Sequence, residues 1–246
     1  MIDDATRSTR PRPVAGHLGS WLMTTAAPDG IDEPGAARAI VDLLGVLAYG
    51  ELSAFDRLSE DARAAPTLAG RATLSKIAAA EMGHFILLEE HLSGMGVAVE
   101  DAMVPFVAMW DSYHASTAPR SWLESIVKVY LGDGLAADFY REISGWLPGA
   151  TGELVQRVLA DTGHSAFAER EVHAACQADR TTRDRLALWG RRLLGEAVTQ
   201  AQQIIAERDE LAAFIITGTG DLSGIASLLK RVQFNHGKRM AKLGLN

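Results

Sequence analysis

Six side chains in this sequence have the types and spacing to hold metal ions: Glu51, Glu81, His84, Asp133, Asp161 and His164. Glu81 and His84 lie three residues apart, and so do Asp161 and His164. On a helix, positions three apart share a face one turn along, so a carboxylate oxygen and an imidazole nitrogen can reach one ion together. Glu51 and Asp133 add lone carboxylates, 30 residues before Glu81 and 28 before Asp161. Four carboxylates neutralise two divalent cations. A mixed oxygen and imidazole set suits iron or manganese better than a thiolate-seeking metal. Cys176 is the single cysteine, so the chain can form neither an internal disulfide nor a thiolate-rich zinc site.

Each of these residues interrupts an apolar stripe. Ile40, Leu44, Leu47, Ala54 and Leu58 recur at three- and four-residue steps with one step skipped, and Glu51 fills the gap. Glu81 and His84 fall in the stripe Leu74, Ile77, Ala78, Phe85 and Leu88. Asp133 breaks Trp122, Ile126, Val129, Ala136 and Tyr140. Asp161 and His164 break Leu154, Val158, Ala168 and Val172. A carboxylate buried without a partner costs several kcal/mol, so such groups are paired or bind a cation. Few Lys or Arg point inward along these stripes, and a metal centre satisfies all four carboxylates at once.

The elements that must position these residues are helices. Ala, Leu, Arg and Glu are abundant, and no period-two alternation suggests a sheet. Proline and glycine punctuate the pattern into helices over about 36–63, 67–94, 120–146, 151–178 and 181–215, with an irregular helical stretch over about 99–115. Asp221 is placed to cap a last helix running to about 242. Four long helices with one extended crossover make an all-α four-helix bundle, its core over 36–178, with additional C-terminal helices over 181–246 packed outside it. Residues 1–35 hold Pro11, Pro13, Pro28 and Pro34 among small and polar residues and read as a flexible leader to one domain, 36–246.

The two halves of the bundle repeat each other. Gly50-Glu51 corresponds to Gly132-Asp133, and Glu81-Met82-Gly83-His84 to Asp161-Thr162-Gly163-His164; Glu89 and Glu169 follow each histidine by five residues. A repeat that preserves chiefly the polar interruptions points to a duplicated helix pair. Gly83 and Gly163 each cost a helix about 1 kcal/mol, a cost that backbone clearance near the metals or between helices would explain.

Other polar residues have plainer readings. Asp138 precedes Arg141 by three and reads as a surface ion pair; Glu89 and Glu169 read as solvated, and Tyr49, Tyr130 and Tyr140 as core packing. His91 and His114 have no ligand spacing. The net charge of −7 disfavours a general nucleic-acid surface, although Lys230, Arg231, Lys238, Arg239 and Lys242 form a basic run with no acidic residue after it. No run of 18 apolar residues and no secretory signal pattern occurs. A cytoplasmic protein away from any membrane is expected.

The motifs Gly50-Glu51-Leu52, Ala80-Glu81-Met82-Gly83-His84-Phe85, Gly132-Asp133-Gly134 with Ala137-Asp138-Phe139-Tyr140, and Leu159-Ala160-Asp161-Thr162-Gly163-His164 resemble the ferritin superfamily, over roughly residues 40–215. Within it, the chain resembles the tRNA isopentenyladenosine hydroxylase-like group, especially its actinobacterial branch. That resemblance implies a ferritin-like bundle in which Glu51, Glu81, His84, Asp133, Asp161 and His164 are the catalytic metal ligands. The cofactor would be two iron ions or an iron/manganese pair, with O2 as co-substrate. The implied activity is that of a non-haem di-iron monooxygenase hydroxylating an unactivated carbon, on a modified tRNA base or a small molecule. The better-known tRNA hydroxylases carry Glu where this chain has Asp133 and Asp161, one methylene shorter, which would leave the second metal position shifted, weaker or differently bridged. No flavin or nicotinamide fingerprint is present, so electrons would come from an external reductase or ferredoxin. The alternative is a non-catalytic or ferroxidase-type metal-binding protein; a monomer or dimer fits the oxygenase, a hollow shell the storage protein.

Overall fold

The computed structural model describes residues 33–160 and 164–246, with the backbone alone for Glu33 and His164. The expected leader up to residue 32 lies outside the described residues. Among the described residues there is no strand; the chain is an all-α helical bundle.

Helix α1 spans Glu33–Ala64 and α2 spans Leu68–Gly94. Pro34 is tolerated in the first turn, where its missing N–H costs no helical bond. Pro66 disfavours helical backbone at Ala65 and ends α1. Thr67 then caps α2, its hydroxyl accepting from Gly70 N at 3.0 Å. The three-residue connection makes α1 and α2 antiparallel neighbours. Gly96, at φ 77°, closes α2: Gly96 N donates to Ser93 O at 2.9 Å and Val97 N to Leu92 O at 3.0 Å. The crossover is α3 (Val99–Met103), a 3-10 turn (Val104–Phe106) and α4 (Val107–Ser116). Helix α5 spans Trp122–Ser144, α6 Gly149–Val158, α7 His164–Ala178, α8 Arg180–Glu207, α9 Asp209–Thr219 and α10 Leu222–Lys242.

Two expected helices are each divided. The helix expected over 151–178 is divided: α6 ends at Val158 and α7 opens at His164. The break falls at Leu159, whose backbone leaves the helical region at φ −86°, ψ 6°. The helix expected over 181–215 breaks at Arg208, whose backbone leaves the helical region at φ −127°, ψ 89°. The Arg208 guanidinium grips both oxygens of Asp42, a carboxylate buried on α1. This bidentate pair pins the α8–α9 corner to the bundle. Asp209 and Glu210 in the first turn of α9 then suit its N-terminal dipole.

The buried apolar side chains form two main clusters. One joins the first half of α1, the end of α2, α3, the end of α5, α6 and α9; the other joins the end of α1, the start of α2, the first part of α5, α7, α8 and α10. The C-terminal helices therefore supply core rather than lie outside it: Leu186, Leu193, Phe214, Ile215 and Leu228 are all almost fully buried. Each such side chain contributes about 1.5–3 kcal/mol by leaving water. On α1 the first cluster ends at Ala48 and the second begins at Leu58; on α2 the gap falls between Ala78 and Leu88, and on α5 between Leu131 and Tyr140. Glu51, Glu81, His84 and Asp133 all lie in this polar interval between two dry cores.

Candidate metal centre

Glu51 reaches the interval from α1, and Glu81 and His84 reach it from α2. His84 Nδ1 lies 3.2 Å from Glu51 Oε2 and 3.6 Å from Glu81 Oε2. Taken one donor atom each, the three residues lie within 4.8 Å of one another. The carboxylates are 8% and 6% exposed, so little water reaches them. Among the described residues no other trio of His, Cys, Asp or Glu meets so closely.

Charge and hydrogen bonding hold the three side chains together. Hydrogen bonds to Glu51 and then to Glu81 hold the His84 imidazole pKa up at about 10, against the opposing effect of burial. Burial, with Glu51 alongside, pushes the Glu81 carboxyl up to about 7, although His84 pulls the other way. An imidazolium thus stands between two carboxylates, where a cation is wanted. A divalent ion that displaces its proton meets two oxygens and one nitrogen, a donor set that fits iron or manganese.

Of the six residues expected to bind metal, the structure brings these three together. Asp133, on α5, lines the same cavity as Glu51, Glu81 and His84 but stands outside their close cluster. Its charge, after burial, raises the Tyr113 hydroxyl pKa, which places it toward α4. Asp161 and the His164 side chain lie outside the described residues; the backbone of His164 opens α7.

The cavity measures about 1120 Å³. Trp110 of α4 closes part of it, donating its indole N–H to Val46 O at 3.1 Å. A Cβ at Gly50 would sit 3.0 Å from that indole, so the glycine beside Glu51 makes room for the ring. Tyr140, buried, donates to Leu43 O at 3.5 Å, and its hydroxyl pKa is raised by burial and by the Glu51 charge. Tyr49 donates to Asp111 at 3.2 Å in an exposed position. Tyr130 donates to Glu169 at 3.0 Å, so Glu169 buttresses a cavity residue whereas Glu89 is exposed.

Several residues that line or brace the cavity gave no sequence signal of comparable strength. Asp138 is buried rather than on the surface, and Arg239 of α10 reaches it at 2.6 Å while Arg141 stands 3.5 Å away. Arg239 crosses α5 where Gly134 leaves space; a Cβ there would fall 2.3 Å from its Nε. Arg231 pairs with Glu142 at 2.8 Å on the surface, so the basic run is partly spent on contacts within the chain. At the far end of the cavity Lys128 of α5 donates to Thr117 O at 2.9 Å and to His114 Nδ1 at 3.2 Å. The signal for Lys128 was a lone lysine inside the apolar run Ile126–Leu131; His114 needed the crossover to be placed.

A family model described as the ferritin-like domain of actinomycetes matches residues 35–218. No curated protein matches the chain.

Proposed function

The chain belongs to the actinomycete ferritin-like domain family, and from that premise we propose that it is a non-haem di-iron oxygenase that hydroxylates an organic substrate. The observation that carries this reading is the buried Glu51–Glu81–His84 cluster, whose donor atoms lie within 4.8 Å of one another. These residues would hold the first iron, and Asp133, Asp161 and His164 the second. A bound iron pair supplies the reduction of O2 that attack on an unactivated carbon requires.

The residues of the chain have their own tasks. Glu51 and Glu81 balance the metal charge in a water-poor interval. His84 gives up its proton as the ion enters. The two dry cores fix the ligand helices from both sides. The cavity beside the cluster, about 1120 Å³, has room for an organic substrate. A ferroxidase or storage centre has no use for such a space, which favours oxygenation.

Among the described residues no single helix is long and apolar enough to cross a membrane. We place the enzyme in the cytoplasm, as a monomer or dimer served by an external reductase or ferredoxin. The resemblance to tRNA hydroxylases makes a modified tRNA base one substrate class, with small molecules the other. The test is oxygen uptake by iron-loaded protein with reductant, joined to modified-nucleoside profiling of tRNA from cells lacking the gene. Uptake by wild type and none by Glu81→Ala is expected; no uptake after confirmed loading overturns the reading.

A further inference from the structure

Helix α10 carries the basic run and presents it unevenly. Arg231 and Arg239 turn toward α5, where Glu142 and Asp138 hold them. Lys230, Lys238 and Lys242 are exposed and, among the described residues, have no carboxylate partner. Phe234 stands among them, 64% exposed, with Lys238 Nζ 4.3 Å from its ring centroid. A phenyl ring left so far in water adds little to the core. No acidic side chain follows Asp221, although the chain as a whole carries a net charge of −7. This face of α10 is a positive island on a negative molecule.

The island lies over a helix of the site. Arg239 crosses α5 at Gly134, the residue after Asp133, and Arg231 meets Glu142 about two turns further along, so α10 runs antiparallel on α5. Between the two helices Leu135 packs with Leu228 and Val232, and Phe139 packs against them. The Phe139 ring lies 5.5 Å from that of Tyr140, whose hydroxyl feels the Glu51 charge. Side chains of α10 and α5 thus lead from the exposed face toward the cluster. Charge decides the occupant. Two copies of this face repel each other. An extended polyanion runs past the lysines onto the acidic remainder of the molecule, whereas a compact acidic protein does not. Lys230 to Lys242 rise about 18 Å along the helix, the span of a small, charge-steered interface with an aromatic near its centre.

We propose that the exposed face of α10, with Lys230, Phe234, Lys238 and Lys242, is the docking surface for a small acidic one-electron carrier protein. Each docking oxidises the carrier by one electron, and two dockings supply the two electrons that return a ferric pair to the ferrous state. That step rests on the di-iron reading; the seat for an acidic protein does not.

The experiment titrates the full chain with a plant-type two-iron ferredoxin, an acidic carrier, in calorimetry. Binding is expected, and it should weaken as salt rises. Lys230→Glu with Lys238→Glu should weaken it at least about tenfold, and Phe234→Ala about tenfold. Arg71→Glu with Lys76→Glu makes the same change of net charge on exposed positions of α2 and should weaken it less than about threefold. Glu81→Ala with His84→Ala should bind ferredoxin like wild type, so loss of the metal reading leaves the surface testable. In wild type, reduced and paramagnetic ferredoxin should broaden the amide NMR signals of α10, a readout independent of variant folding. Oxygen uptake separates the two readings. Lys230→Glu with Lys238→Glu should slow uptake driven by reduced ferredoxin and leave uptake driven by a small chemical reductant unchanged. No ferredoxin binding, equal loss in the α2 variant, or broadening confined to other helices overturns the proposal. So does self-association through this face, or its tighter binding to single-stranded RNA or to phosphatidylglycerol vesicles than to ferredoxin.

Discussion

The α1–α2 half and the α5–α7 half carry the same order of ligand types, yet the chain builds them differently. In the first half Glu81 and His84 sit in mid-helix, one turn apart, with Glu51 facing them across a continuous helical hairpin. In the second half α6 ends at Val158 and α7 opens at His164, and the corresponding Asp161, with the His164 side chain, lies outside the described residues. Residue type differs between the halves as well: Glu81 and Met82 are good helix formers, whereas Asp161 and Thr162 are weak ones. One half arrives as a preformed donor trio; of the other, the structure places Asp133 on α5, lining the same cavity but outside that trio.

This contrast predicts unequal consequences of mutation. The largest effect should come from the first half: His84→Ala should weaken ferrous or manganous binding by roughly 100-fold or more, beyond the 10–100-fold typical of groups that only support a ligand. Metal analysis after dialysis checks it, and retained tight binding would break the comparison. Asp133→Ala should lower the content from two ions to one while leaving the tighter site intact. Equal loss from both sites would mean that the halves are not organised separately.

The pH dependence sharpens the same point. Glu81 titrates at about 7 and His84 at about 10, both above their ordinary values of 4.5 and 6.5. A raised folded-state pKa stabilises fully below the unfolded value, and that stability is lost as pH climbs through the folded value. The metal-free chain should therefore lose stability from about pH 4.5 to 7 through Glu81 and from about 6.5 to 10 through His84. Manganese expels these protons, about two below pH 7 and one above it, so affinity should rise with pH and less steeply above 7. Melting temperatures of metal-free and manganese-loaded protein should diverge across that range; a constant gap would contradict the charge arrangement.

The glycines give the smallest effects, of opposite sign. Gly134→Ala should destabilise by about 2 kcal/mol, because Arg239 must leave the buried Asp138 carboxylate. Gly83 is exposed and a Cβ there meets nothing within 4 Å, so Gly83→Ala should stabilise by up to about 1 kcal/mol. Denaturant titration measures both. The backbone clearance expected of Gly83 is not what the structure uses; Gly50 and Gly134 make the close approaches.

Helix positions, and the stripes that Glu51, Glu81, His84 and Asp133 interrupt, were legible in the sequence because periodicity reports burial directly. Leu44, Leu47, Leu58, Leu74 and Leu88 are all buried. What escaped was set by contacts between distant segments. Nothing local marks Arg208 as the end of a helix, since the cause is Asp42, 166 residues earlier. Asp138 looked exposed because Arg141 is near in sequence, whereas Arg239 is the partner that buries it. Lys128 and His114 meet only because the crossover folds α4 against the bundle. Core membership of α8, α9 and α10 was equally invisible, because an amphipathic helix announces an apolar face and not what it packs against.

The most direct test of the central claim is anomalous diffraction from crystals grown anaerobically with ferrous or manganous salt. The account predicts one strong peak bounded by Glu51, Glu81 and His84, with His84 Nδ1 no longer bonded to Glu51, and a second peak about 3.5–4 Å away on the Asp133 side. A chain saturated with metal in solution, yet showing no peak at this trio and His84 still held between the two glutamates, would contradict it.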